Sequence, residues 1–337
     1  GKYGLIMATY KEIKGTQIEV LASDPSNPVE GQVWFNSTSN VLKGEAATAA
    51  GSWATGGTLN TGRESGGSQN IGSAPHSALV AGNGGPPASG ITELYNGSAW
   101  TEVNNLNTVR YGAAGSGTTT AGLAFGGENY PSSPPYQAAT ETWNGTNWTE
   151  VNDLNTARYA LCGGGTNTSA VCGGGEFPSY QTTPLAETWN GSNWTEVANP
   201  NQARRYAAMA AVSSTSALMF GGLNPASSPT IFALTELWNG SAWTEVNDLT
   251  TARYGAGGTG TITAALAFGG DTPPNTGKTE EYNGTNWTET TDMSTATKYM
   301  FGSGTTASAL SAGGSGSLTR TEEWTGAGPV TRTFTDS

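Results

Sequence analysis

Histidine is almost absent from this 337-residue chain, His76 being the only one, and cysteine is limited to Cys162 and Cys172. Charged residues make up 12%, about half the ~25% of an ordinary globular chain. No apolar run approaches the ~18 residues that would span a bilayer. Each scarcity excludes something. A Ser-His-Asp triad or a multi-histidine metal site would have to be built around His76 alone. Two cysteines are too few for a disulfide framework or a Cys-rich zinc site. They are read as small buried residues rather than a cross-strand disulfide, because Ala114 and Ala124 hold the matching positions one sequence unit earlier. No His-Glu-x-x-His, Walker or Rossmann glycine pattern is present, and no cofactor is expected. Basic residues are also few: the net charge is −12, so phosphate backbones and anionic membrane surfaces are repelled. Nucleic acid and membrane insertion are therefore not expected. Residues 1–14 lack the apolar segment of a secretory signal.

What the chain has in excess is glycine, 49 residues of it, with Thr, Ser and Asn, a composition of turns and short strands. It also repeats. Asn-Gly-Ser/Thr-Ala/Asn-Trp-Thr-Glu occurs at 96–102, 144–150, 190–196, 239–245 and 283–289. Trp53, Trp100, Trp148, Trp194, Trp243 and Trp287 are spaced 47, 48, 46, 49 and 44 residues apart. Ten residues after each of the first five comes an arginine: Arg63, Arg110, Arg158, Arg204 and Arg253. Lys298 follows Trp287 by eleven, so the last unit drifts. Each unit reads as four strands. The first starts near the cation and a Tyr, and the second is apolar and ends in Gly-Gly. The third ends in Trp/Tyr-Asn-Gly, a turn whose residues tolerate φ > 0, and the fourth carries the Trp. Such a period and content fit stacked four-stranded sheets and not helical repeats.

Six first-and-second-strand pairs can be counted, near 66–84, 111–127, 159–175, 206–222, 254–270 and 299–314. The Trp53 strand has no partner before it, and the last unit lacks an outer Trp. The Trp53 strand is therefore expected to complete the last sheet, with Val330–Phe334 as the rival outer strand. Gly-Gly after an apolar strand, Tyr/Trp-Asn-Gly, then Trp and a cation resembles the kelch repeat over residues 46–337. That resemblance implies an all-β, kelch-like β-propeller of six four-stranded blades, seven being the alternative count. Residues 1–45 do not fit the repeat, and 31–43 read as a β-hairpin.

The arginines admit two readings, an anion-binding ring or pairing with Glu102, Glu150, Glu196, Glu245 and Glu289 or with strand-end carbonyls. Recurrence in every unit favours pairing. The Asn-Gly-Ser/Thr-x-Trp-Thr run also resembles the Asp-box of sialidase propellers. Such enzymes need an arginine triad, a Tyr nucleophile and acidic partners, whereas arginines repeated once per unit read as structural, so no enzyme is expected. The loops between second and third strands vary while the framework repeats, and propellers gather such loops on one face. Tyr130, Tyr136, Phe177, Tyr180 and Phe232 in these loops are the candidate ligand-binding residues, suited to stacking on sugars or anchoring a protein. Finally, the stretch around Gly31-Gln-Val-Trp-Phe-Asn36 resembles the N-termini of structural proteins of marine tailed bacteriophages, of the tail-fibre or virion-decoration type. It implies a virion or otherwise extracellular structural protein. The N-terminal segment would join other virion proteins or a second copy of the chain, and the propeller would adhere to a host-surface glycan or protein. The alternatives are a decoration protein without receptor role, a secreted bacterial adhesin and, last, a carbohydrate-active enzyme.

Overall fold

The computed structural model describes residues 18–26, 32–64, 71–74, 76–82, 88–130, 135–178, 181–228, 230–316 and 318–334. Those residues form strands, turns and loops, and no helix among them is long and apolar enough to cross a membrane. The chain divides into two compact units, one of residues 1–50 with 327–337 and one of residues 51–326.

The first unit is a four-stranded sheet in the order Glu19–Leu21, Val33–Asn36, Val41–Ala49, Gly328–Phe334. Its hairpin turns at 37–40, where Asn40 takes φ 56° and the Asn36 Oδ1 accepts the amides of Thr38 and Ser39. Trp34 is fully buried, and its indole donates to Asp24 at 3.0 Å. The Asp24 carboxylate also accepts from Lys43 and Asn36. These bonds, that of Lys43 first, hold its pKa at about 2. Gly328–Phe334 pairs with Val41–Ala49 and is no part of the repeat.

The second unit contains six four-stranded antiparallel sheets. Sheet I is Gly72–Ala74, Ser77–Ala81, Thr92–Tyr95 and Trp100–Val103. Sheet II is Ala114–Thr118, Ala121–Phe125, Thr140–Trp143 and Trp148–Val151. Sheet III is Cys162–Gly165, Ala170–Gly173, Ala186–Trp189 and Trp194–Glu196. Sheet IV is Ala208–Ser213, Ser216–Phe220, Thr235–Trp238 and Trp243–Val246. Sheet V is Gly257–Gly260, Ala265–Phe268, Thr279–Tyr282 and Trp287–Glu289. Sheet VI takes Phe301–Gly304, Ser308–Ala312 and Thr321–Thr325 from the end of the repeat and Ser52–Thr55 from its start, with Trp53 opposite Trp324. The Trp53 strand is thus the outer strand of the last sheet, as its lack of a partner suggested.

No single sheet closes on itself. The six sheets instead pack in order, the first strand of each touching that of the next and that of sheet VI touching that of sheet I. Two kinds of bond repeat around this ring. The fourth-strand indole reaches back to the threonine that opens the third strand of the preceding sheet. Trp148 donates to Thr92, Trp194 to Thr140, Trp287 to Thr235, Trp53 to Thr279 and Trp100 to Thr321, all at 2.9–3.1 Å. The second glycine of each Gly-Gly donates its amide to the carbonyl at the arginine position of the next unit, and Gly314 to Arg63 at 3.0 Å closes the circle. Those glycines have left-handed φ, and a Cβ on Gly127 would lie 2.8 Å from the Tyr111 carbonyl oxygen, which explains why the pair tolerates no side chain. Near the first-strand turns, Gly72, Gly117, Gly165, Ala211, Gly260 and Gly304, one from each sheet, line a single cavity of about 70 Å³. Only small residues fit where six strands converge.

The thiols of Cys162 and Cys172 are free and buried, and burial pushes both up to about 12.

Candidate functional site

The arginine positions are the framework of the site and not its ligand-binding groups. Arg110 is fully buried, and its Nη2 donates to Glu141 Oε1 at 2.6 Å. Its Nη1 donates to the carbonyls of Ala139 and Gly126. The same carboxylate accepts the amide and side-chain amide of Asn107 and the amide of Thr108. Arg63–Glu93, Arg158–Glu187, Arg204–Glu236 and Arg253–Glu280 repeat the ion pair. The partners are therefore third-strand glutamates, which corrects the expected pairing with Glu102, Glu150, Glu196, Glu245 and Glu289. Those five are exposed on the outer, fourth strand, where Glu289 meets Lys278 at 3.0 Å, whereas the third-strand carboxylates are buried and need the guanidinium. Burial lowers the pKa of Arg110, and Glu141 opposes that shift. In sheet VI, Lys298 does not hold the arginine position. Thr297 does, and the pair is rebuilt from the other side, Arg320 Nη1 meeting Glu322 at 3.2 Å.

The residues just after the arginine position converge at one end of the ring. They are Glu64, Tyr111, Tyr159, Arg205, Tyr254 and Lys298, each half-buried. The next position is left-handed in every unit where it is described: Gly112, Ala160, Tyr206, Gly255 and Tyr299, with φ between 55° and 65°. Its amide donates to the equivalent carbonyl of the unit before, so that Ala160, Tyr206, Gly255 and Tyr299 form a chain of bonds of 2.7–2.9 Å leading back to Gly112. Tyrosine in this conformation carries roughly 1–3 kcal/mol of strain that glycine avoids.

Onto this floor fold the residues that follow Gly-Gly. Glu128 bridges to Tyr111, Glu176 to Tyr159, Leu223 to Arg205 and Asp271 to Tyr254. Glu176 is buried, pairs with Arg205 and accepts the Tyr136 hydroxyl at 2.6 Å. Asp271 accepts from Tyr254 at 2.8 Å and from Lys298. Lys298 also lies 5.1 and 5.2 Å from the ring centres of Tyr254 and Tyr299. The hydroxyls of Tyr159 and Tyr206 bond each other. Burial raises the pKa of Tyr111, Tyr159, Tyr206 and Tyr299, so these phenols remain protonated donors at neutral pH. Burial raises Glu64 too, opposed by Ser315 and Lys298. For Lys298 burial acts downward, but the bonds to Asp271 and Tyr254 outweigh it and the ammonium is held above its usual value.

No protein-family model matches the chain, and no curated protein matches it in sequence. A solved structure titled "Structure of YjhT" matches it with a TM-score of 0.63 over 79% of this chain and 95% of that one, at 11% identity. The likeness is one of fold, and with the six packed sheets it decides the architecture. The chain has a β-propeller-like fold.

On this propeller, the nominated loop residues part company. Tyr130 is 55% exposed and Phe177 is half-buried. Tyr136 is 4% exposed, its ring against Tyr159 and its hydroxyl on Glu176. Phe232 is 5% exposed, at the base of an open groove with Ile231, Gln202 and Asp248. Neither buried ring offers a stacking face, which corrects their assignment as platforms. Tyr180 lies outside the described residues. His76 is exposed, 3.9 Å from Glu323 at its nearest, and is no part of the floor. Among the described residues no group of three or more His, Cys, Asp and Glu is placed to hold a metal ion.

The floor itself escaped the sequence reading. Its signal was present in the eleven-residue offset of Lys298, which marks a residue occupying the tyrosine position instead of the arginine one.

Proposed function

We propose that this chain is a virion structural protein of a tailed phage, from a fibre or surface appendage. Its kelch-like, six-bladed propeller adheres to a host-surface glycan or protein. The observation that carries the adhesive reading is the contrast on one end of the blades. A framework of buried Arg–Glu pairs repeats in five blades and is rebuilt in the sixth, while the loops above it differ from blade to blade and present Tyr130 and Phe177. Rigid scaffolds carrying variable loops serve recognition. The virion reading rests on the resemblance of the N-terminal segment, whose Trp34 is a buried core residue of a separate small sheet built from both chain ends. Such a unit suits attachment.

One observation favours a carbohydrate-active enzyme as second reading: carboxylates stand beside tyrosines at Tyr254–Asp271 and Tyr136–Glu176. Against a sialidase-type site, five arginines are buried in structural pairs and Arg320 is bound to Glu322. Among the described side chains only Arg205 borders the floor, too few for a triad.

The test is binding of the purified full chain to a glycan array and to host cells, with released reducing sugar assayed alongside. Saturable binding lost in a Tyr130→Ala/Phe177→Ala variant supports adhesion. Sugar release moves the reading to an enzyme, and neither outcome leaves a decoration protein. Antibody labelling of phage particles in the electron microscope tests the virion assignment.

A further inference from the structure

Blades IV and VI break the repeat in the same way. In blades II, III and V the arginine position is followed by tyrosine and then glycine or alanine, as Tyr111-Gly112, Tyr159-Ala160 and Tyr254-Gly255. In blades IV and VI a cation takes the tyrosine's place and the tyrosine moves one residue on, as Arg205-Tyr206 and Lys298-Tyr299. Tyr206 and Tyr299 thereby occupy left-handed backbone, at φ 55° and 59°. Backbone strain of this kind persists where the surroundings impose it, and it concentrates at sites that bind. Both breaks flank blade V. The rings of Tyr206, Tyr254 and Tyr299 consequently form a triangle, with centres 5.0, 6.1 and 6.1 Å apart.

Beside that triangle sits Asp271, 6% exposed. Its Oδ2 is taken by Tyr254 and Lys298, while its buried Oδ1 has no partner among the described residues. The buried Nε of Arg205 lacks one too. Buried polar groups are ordinarily satisfied, and these two atoms are not. A hydroxyl can serve either. The floor carries four carboxylates, Glu64, Glu128, Glu176 and Asp271, against two cations, Arg205 and Lys298. A phosphate or an acidic sugar would meet net negative charge, whereas a neutral ring with hydroxyls on its edge and C–H groups on its face meets donors, acceptors and aromatic rings.

We propose that the floor around Asp271 binds one neutral pyranose unit. This narrows the adhesive reading, on which it rests, to a sugar class and a site. The two fail separately, because the test uses free sugars and no cells or polymers.

The experiment is ligand-observed NMR and calorimetry on the full chain with methyl glucoside, galactoside, mannoside and N-acetylglucosaminide, against glucuronate and inorganic phosphate. At least one neutral pyranoside is expected to bind with a Kd of about a millimolar, and glucuronate and phosphate about tenfold or more weaker. Asp271→Asn removes the Lys298 ion pair and is expected to lower the melting temperature, while in protein that still melts cooperatively it weakens the neutral sugar about tenfold or more. Tyr206→Gly, which restores the residue of blades II and V, should lose the sugar while keeping the fold, and it decides the matter if Asp271→Asn does not fold. Glu150→Gln, on an exposed outer strand, should bind as the parent does. The proposal is overturned if no neutral pyranoside binds, if the anions bind better, or if a folded Asp271→Asn or Tyr206→Gly binds like the parent.

Discussion

At the scale of single residues the ring shows one missing bond. Five fourth-strand tryptophans donate to a threonine of the preceding blade, but Trp243 faces Ala186 at that position and its buried Nε1 has no partner among the described residues. Ala186→Thr should supply the acceptor and raise stability by about 1 kcal/mol, read as a higher urea midpoint at unchanged slope. Removing a charge from the ring has the opposite sign. Arg158→Met strands the fully buried Glu187 carboxylate and should cost about 3–5 kcal/mol. Replacing both by Met and Leu should recover most of that, a comparison that thermal melts can make. In the first unit the depressed pKa of Asp24, about 2 against an ordinary 3.8, gives a stabilising contribution that is full above 3.8. It is lost as the pH falls through 2. An acid titration followed by Trp34 indole NMR should move in that window, and Asp24→Asn should flatten it. Residue identity alone told only part of this. The arginines were legible as structural because they recur, and strand-end carbonyls were legible among their partners, yet the carboxylates were not. Glutamates recur on both the third and the fourth strand, and only burial separates Glu141 from its cross-strand neighbour Glu150.

At the scale of strands and blades the sequence was most legible where spacing was regular. Asn-Gly turns fixed the outer hairpins: Asn144 Oδ1 caps the amides of Thr146 and Asn147, with Gly145 at φ 93°. The ten-residue step from Trp to Arg survives in folded form because the intervening loop must bring the arginine onto the third-strand glutamate. The Trp53 strand was legible by default, as an outer strand with nothing before it. Its weight is testable. Trp53 packs 5.1 Å from Phe268 and 5.4 Å from Trp324 by ring centres and bonds Thr279. Trp53→Ala should cost about 3 kcal/mol, measured by chemical denaturation, and less than loss of one of the more deeply buried tryptophans in mid-repeat. The tyrosine floor was hidden for the reverse reason. It is made by departures from the repeat, and a reading that looks for agreement between units discounts them as drift.

At the scale of the whole molecule the two units have separate cores, Trp34 in one and six clusters between successive blades in the other. Residues 51–326 are expected to fold alone and melt in a single transition by circular dichroism; loss of cooperativity in that fragment would show that the first unit is needed. Beginning the chain at residue 56 instead should destabilise the ring more than Trp53→Ala, because sheet VI then loses a whole strand.

The paired chain ends have a mechanical consequence. The two segments that leave the ring run side by side: Ser52 opposes Thr325 within sheet VI, and Ala49 opposes Gly328 in the first unit. A load applied equally to both segments does not pry Ser52–Thr55 from Thr321–Thr325, because the two strands leave sheet VI at the same end. Only a grip on one terminus alone could unzip that ladder, and it would first have to strip the strands of the first unit.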